Sequence, residues 1–165
     1  MLTIISNMIE AHIFRMKKGK IEFLLLKRSE NEIYPGLWQM VSGTIHKGET
    51  ASQTALREII EETDLRPKKM WVVPNINSFY SPEKNHISVL PVFAVQVNAG
   101  SRVKISHEHT ECKWASKNKA KKMLAWIGQR RSIDIIYEYL TKQKSHLNFV
   151  EIKILVSSIY ISLAI

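Results

Sequence analysis

Apolar positions change period several times along this chain, and each change marks an element. Met8 to Met16 and Ile21 to Arg28 are apolar-rich runs joined by Lys17-Lys18-Gly19-Lys20, the pattern of two strands in a hairpin. Ser29 to Gly36 is polar and ends in the turn pair Pro35-Gly36, after which Leu37 to Ser42 reads as a short strand. Ala51, Ala55 and Ile59 then recur at i, i+4 and i+8, widened by Leu56, which predicts a helix with one buried stripe. Thr50 and Gln53 form a capping-box pattern at its start, and Pro67 stops it soon after Leu65. Trp71 to Tyr80 and His86 to Val97 return to strand character across the turn Ser81 to Asn85, with Pro91 arguing for an edge or a bulge. Val103 to Ile105 and Glu111 to Trp114 flank the polar loop Ser106-His107-Glu108-His109-Thr110. A helix from about Ser116 carries Ala120, Met123, Leu124 and Ile127 on one side. Another, Arg130 to Lys142, carries Ile133, Ile136, Tyr137 and Leu140. Strands interleaved with helices predict an α/β fold, an α/β/α sandwich on a mixed sheet.

Length and composition keep that reading to one domain. The 165 residues, 45% hydrophobic and 24% charged, suffice for a real core. We place the domain at residues 1–145 and an apolar extension at 146–165, open to roles as an added strand, a docking or dimerisation segment, or a tail. After Lys153 twelve residues remain, short of the ~18 a membrane span needs, so no membrane attachment is expected. The start, MLTIISNMIEAHIF, reads as a first strand rather than a signal peptide. A lone cysteine, Cys112, rules out an internal disulfide and predicts a cytoplasmic protein.

Charge adds a partner class. The net charge of +9 attracts polyanions, and Lys113, Lys117, Lys119, Lys121 and Lys122 concentrate part of the excess. No aromatic-rich recognition motif accompanies them, so steering of a phosphorylated small molecule is favoured over nucleic-acid binding.

The candidate chemistry lies in Gly43 to Leu65, GTIHKGETASQTALREIIEETDL. Glu58, Glu61 and Glu62 fall at i, i+3 and i+4, so three carboxylates share a helix face and repel one another unless a cation compensates them. Oxygen-rich clusters of this kind suit Mg²⁺, which in turn binds substrate phosphates.

The run resembles the Nudix box, G-x5-E-x7-R-E-U-x-E-E-x-G-U, with Gly43, Glu49, Arg57, Glu58, Ile59, Glu61, Glu62 and Leu65 in register. Asp64 stands where the motif has Gly. Asp tolerates a left-handed backbone better than most residues, so a helix-end variant with intact chemistry is expected at a cost of about 1 kcal/mol. The resemblance covers roughly residues 8 to 143 and implies the same sandwich fold, Mg²⁺ (or Mn²⁺) as cofactor, and hydrolysis of a phosphoanhydride. It implies Glu61 and Glu62 as principal metal ligands, Glu58 as a further ligand or water-activating base, and the Gly43 carbonyl as completing the site. Arg57, beside these catalytic carboxylates, pairs with Glu49 to position the loop against the helix. Glu108 is a candidate late ligand, base or substrate contact. His107, His109 and Cys112 match no common zinc spacing.

Trp38 is a candidate base-stacking residue, although packing competes for it. The run LWQMVSG is similar to the nucleoside-triphosphate and dihydroneopterin-triphosphate pyrophosphohydrolase branch, and the Pro-Lys-Gly run frequent in diadenosine-polyphosphate hydrolases is missing. The expected reaction is conversion of a (deoxy)nucleoside triphosphate, or a related nucleoside diphosphate-linked compound, to monophosphate and pyrophosphate. Dinucleoside polyphosphates, nucleotide sugars, capped RNA ends and a non-catalytic nucleotide-binding module are the alternatives. A homodimer stays open.

Overall fold

The computed structural model describes residues 1–154. Within them, nine strands form one mixed sheet. They are β1 (Thr3–Ile5), β2 (Met8–Lys17), β3 (Lys20–Arg28), β4 (Trp38–Gln39), β5 (Val41–Thr44), β6 (Lys69–Ser81), β7 (His86–Val97), β8 (His109–Ser116) and β9 (Glu151–Ile152). The hairpin β2–β3 turns through Lys18-Gly19, both with positive φ, as the twist of paired strands favours. The main strand order is β4-β3-β2-β7-β6-β9. β1 also pairs with β7, β5 with β2 and β8 with β3. β2 runs parallel to β7 and antiparallel to β3 and β5, which makes the sheet mixed.

Alternation along β2 divides the core. Ile9, Ala11 and Ile13 join Leu24, Leu26, Val41 and Val95 on the face covered by helix α1 (Ala51–Thr63). Phe14 points the other way, to Phe23, Leu25, Met40 and Trp71 beneath α2 (Lys117–Met123) and α3 (Ile127–Thr141). The α/β/α sandwich is therefore realised, with one apolar cluster on each face. Ala55, Leu56 and Ile59 are the buried stripe of α1, and full burial of a side chain such as Ile59 stabilises by about 1.5–3 kcal/mol.

Several expectations are corrected or refined. Val103 to Ile105, ahead of the polar loop, is irregular in structure. Its apolar side chains pack on the α1-side core, while the Lys104 and Ser106 amides donate to the Thr63 and Glu62 carbonyls at the end of α1. Ile127 does not extend the earlier helix, because the chain breaks at Leu124, which bridges to Trp38; α3 then starts at Ile127, before the expected Arg130. Pro91 occupies a central strand. Its missing N–H falls between the β1 and β2 pairings of β7, opposite a bulge in β6 between Val73 and Ile76. Of the expected extension, a helical turn at Leu147–Val150 and β9 close over the start of β6, and 155–165 lie outside the described residues. Among the described residues no helix is long and apolar enough to cross a membrane.

Candidate functional site

Local sequence fixes the geometry of α1 before any chemistry enters. The capping box is complete: Thr50 Oγ1 accepts from the Gln53 amide, and the Gln53 side chain accepts from the Thr50 amide at 2.8 Å. At the other end Asp64 is left-handed, φ 56°, and its amide closes on the Ile60 carbonyl. The helix is thus held at both ends, with its buried stripe on the sheet and its carboxylates along the opposite margin.

Arg57 organises that margin. Its Nε donates to Glu49 Oε1 at 2.8 Å and one Nη to Glu49 Oε2 at 3.0 Å, a bidentate fork between helix and loop. The same guanidinium donates to the Thr44 carbonyl, to Glu58 at 2.8 Å and to Glu61 at 3.0 Å. Hydrogen bonding to Arg57, with help from the His46 amide and Thr54, holds the Glu49 carboxyl down at about 2. Glu49 and Arg57 therefore join the loop to the helix. Gly43 lies against Glu58 so closely that an added Cβ would stand 2.1 Å from its carboxyl carbon.

The three helix carboxylates do not share one environment. Glu61 is half exposed and bound to Arg57. Glu58 is largely buried between Gly43 and Arg57, and burial raises its carboxyl above the ordinary range against the pull of Arg57. Glu62 turns inward and is 3% exposed, with His109 Nε2 2.7 Å from its Oε2. Burial first, then the neighbouring Glu58 and Glu108 charges, pushes Glu62 well above the carboxylate range. Burial also lowers His109, so the imidazole is neutral near pH 7, the state that can donate one N–H or offer a lone pair to a metal.

Glu62, Glu108 and His109 each present a ligand atom within 4.8 Å of the others. The donor set fits a divalent cation on chemical grounds: two carboxylates and a neutral imidazole, Glu62 and His109 buried and Glu108 partly so, with few compensating positive charges. Neither Glu58 nor Glu61 joins that group, although both charges act on Glu62. The sequence had singled out Glu108, but His109 as the partner of Glu62 had no local signal, since 47 positions separate the two. Arg28 is a further addition. It bonds Gln39 and Glu32 and lowers the Glu62 carboxyl by its charge, and the next amide, Ser29, donates to the Glu108 carbonyl.

That hydrogen bond ties the loop after β3 to the cluster. The loop carries Tyr34, left-handed at φ 59°, whose ring meets Trp126 edge-on at 5.2 Å, and both rings remain largely exposed. Trp38 is partly buried and packs on the α3-side core.

A family model described as NUDIX domain matches residues 9–134, the span that contains the box helix, Glu108 and His109. The chain belongs to the Nudix family. It is 33% identical over 104 residues to a bis(5'-nucleosyl)-tetraphosphatase (asymmetrical) of Caenorhabditis elegans, covering 62% of this chain and 72% of that protein. A second relative, from Mycobacterium tuberculosis, is 26% identical, and the chain spans only 44% of its length. The solved Ap4A hydrolase of C. elegans, as a binary complex, is similar with a TM-score of 0.70 at 25% identity over 82% of this chain and 98% of that one. The MutT protein of Methanosarcina mazei is similar with a TM-score of 0.69 at 26% identity, over 86% and 98%.

Proposed function

We propose that this Nudix protein is a Mg²⁺- or Mn²⁺-dependent hydrolase that cleaves a phosphoanhydride in a (deoxy)nucleoside triphosphate or related nucleotide, releasing monophosphate and pyrophosphate. The observation that carries the reading is Glu62, a buried carboxylate facing Glu58 and Glu108 with a neutral His109 as its hydrogen-bond partner. Such an arrangement is costly unless a cation joins it. Glu62, Glu108 and His109 would hold that cation, with Glu58 and Glu61 at its edge. A bound divalent ion would neutralise charge on the leaving phosphate and lower the pKa of a ligated water. Glu58, raised by burial, suits the proton acceptor for the attacking water. Arg57 and Glu49 lock the loop that keeps Gly43 against Glu58. Exposed Tyr34, on the loop that bonds to Glu108, and Trp126 against it would supply aromatic faces for a base, and Trp38, bridged to Leu124, is a further candidate.

A second reading has a specific observation behind it. The likeness to the C. elegans tetraphosphatase in sequence and to the Ap4A hydrolase in structure favours a dinucleoside polyphosphate as substrate. The two readings separate in one experiment. Nucleoside triphosphates and dinucleoside tetraphosphates are incubated with Mg²⁺ or Mn²⁺, and pyrophosphate, phosphate and nucleotides are scored separately. Pyrophosphate from triphosphates supports the first reading, and a nucleoside monophosphate plus a nucleoside triphosphate from a dinucleoside tetraphosphate supports the second. A panel with no turnover, in which Glu62→Gln behaves as wild type, would sink both.

A further inference from the structure

Charge is unevenly spread over this chain. Residues 1–9, 70–82 and 85–101 contain no Asp, Glu, Lys or Arg, although these types make up 24% of the sequence. The fold gathers the three stretches. β1 runs beside β7 at Thr3–Ile5, and β6 pairs with β7 as far as Ser81 opposite His86. Past the bulge in β6 these strands form an arm whose apolar side chains face solvent: Ile4 is 73% exposed, Ile76 66%, Tyr80 54% and Phe79 50%. Glu83 and Lys84 mark only the tip.

The outer edge of β6 is open as well. β9 meets it only at Met70 and Trp71 and runs away from the arm, so among the described residues nothing pairs with Val72 to Ser81 on that side. Past Pro74 and the bulge, the six residues Ile76–Ser81 at ~3.3 Å each give an uninterrupted edge about 20 Å long. Natural edges are commonly blunted by charged side chains, and this one has none along that length. The exposed apolar side chains of β6 itself, Val72, Ile76, Phe79 and Tyr80, amount to on the order of 450 Å² per copy, over half of the ~800 Å² each partner contributes to a standard interface, and the paired backbone adds to it. A net charge of +9 pushes two copies apart, and the uncharged arm is where that repulsion is weakest.

We propose that the β6 edge pairs antiparallel with β6 of a second copy about a two-fold axis at Ser78, joining two sheets into one. The symmetry makes the contact self-complementary: Ile76 lies opposite the partner's Tyr80, and Tyr80 opposite the partner's Ile76. The shallow groove at the arm's root, lined by Val72, Pro74 and Pro91, faces the partner's tip turn. None of these residues belongs to the carboxylate cluster, so the inference stands apart from the proposed hydrolysis.

Sedimentation equilibrium of the full chain tests it. The expected mass is twice 19.1 kDa at micromolar concentration. Ile76→Lys with Tyr80→Lys should weaken association by at least about 100-fold, with an unchanged thermal melt showing that the fold persists. Ile76→Lys with Tyr80→Glu should restore the dimer, because each Lys then faces a Glu across the axis. In a Cys112→Ser background, Ser78→Cys should form an interchain disulfide on mild oxidation. A monomeric wild type, a dimer indifferent to the double lysine variant, or equal weakness of the Lys/Lys and Lys/Glu variants would each overturn the proposal. A monomer that instead co-sediments with phospholipid vesicles would overturn it too, assigning the arm to lipid.

Discussion

Two glutamate–histidine pairs lie buried on opposite faces of one sheet, and they differ in what surrounds the acid. On the α1 side Glu62 meets His109 at 2.7 Å, while on the α3 side Glu10 meets His12 at 2.5 Å. Glu10 also accepts from Asn77 at 2.8 Å and Gln129 at 3.2 Å, so neutral amides fill its acceptor positions. Glu62 has other carboxylates for neighbours instead. A buried acid whose lone pairs are occupied by neutral donors knits α3 to the sheet. One that faces other acids is poised for a cation. Burial alone would not separate the two, since both are nearly inaccessible.

The largest expected effect tests this contrast directly. Glu62→Gln should lower metal-dependent hydrolysis by more than about 100-fold, beyond the 10–100-fold typical of residues one step removed from a metal. Glu10→Gln should leave hydrolysis within about threefold, whereas Glu10→Ala, which strands His12, should cost about 3–5 kcal/mol in urea denaturation. Equal loss of activity in Glu62→Gln and Glu10→Gln would erase the distinction.

Two glycines repeat the comparison on a smaller scale. A Cβ at Gly43 would stand 2.1 Å from the Glu58 carboxyl, and a Cβ at Gly128 would stand 2.6 Å from Asn77 Oδ1. Gly43→Ala should displace Glu58 and reduce the rate by about 10–100-fold with little change in melting temperature, because an ångström of misplacement is expensive in catalysis. Gly128→Ala should dislodge Asn77 from Glu10, lowering the melting temperature and sparing the rate. Rates and melts of both variants decide whether each glycine serves chemistry or packing.

Titration separates Glu62 from the carboxylate behind it in the loop. In metal-free protein the folded Glu62 binds its proton more tightly than the unfolded chain does. Stability therefore falls as pH rises from the ordinary value of 4.5 through the raised one. Mg²⁺ should flatten that slope in wild type, and Glu62→Gln should abolish it. Glu49 has the opposite sign. Its contribution is complete above 4.5 and is lost as pH falls to about 2, so Glu49→Gln should flatten the acid limb instead. Melting temperature against pH, with EDTA and with Mg²⁺, reads both. A metal-free melt that rises with pH above 4.5, unchanged by Glu62→Gln, would contradict the assignment.

Much of this was legible in the sequence because it is local. The β2–β3 turn, the Thr50–Gln53 box, the stripe of α1 and the Arg57–Glu49 register all lie within windows that carry their own period or cap. What escaped was decided at a distance. Val103 and Ile105 read only as a flank of the polar loop, but the amides between and after them satisfy carbonyls left free by the end of α1, which no window around residue 104 reveals. His109 sits in a polar loop and acquires its meaning only when β8 brings it to Glu62. Trp126 and Ile127 extend an apolar pattern, yet the bridge from Leu124 to Trp38 breaks the helix before them.

Asp64 carries the smallest expected effect and the most pointed one, since it is the position where this chain leaves the family motif. Its φ of 56° and ψ of 18° are the left-handed pair that glycine adopts freely and Asp adopts at a cost. Its exposed carboxylate also faces the negative end of α1, with Arg66 4.0 Å away as loose compensation. Asp64→Gly should therefore stabilise the protein by about 0.5–1 kcal/mol, and Asp64→Asn, which removes the charge but keeps a Cβ, by a few tenths. Neither should change the rate or the metal dependence, because the Asp64 amide already closes on Ile60 and holds Glu62 in place whichever side chain follows. Urea midpoints alongside metal titrations would measure both quantities. A tighter metal affinity in Asp64→Gly would mean that the helix end and the cluster are coupled, and that the departure from the motif weakens the site itself.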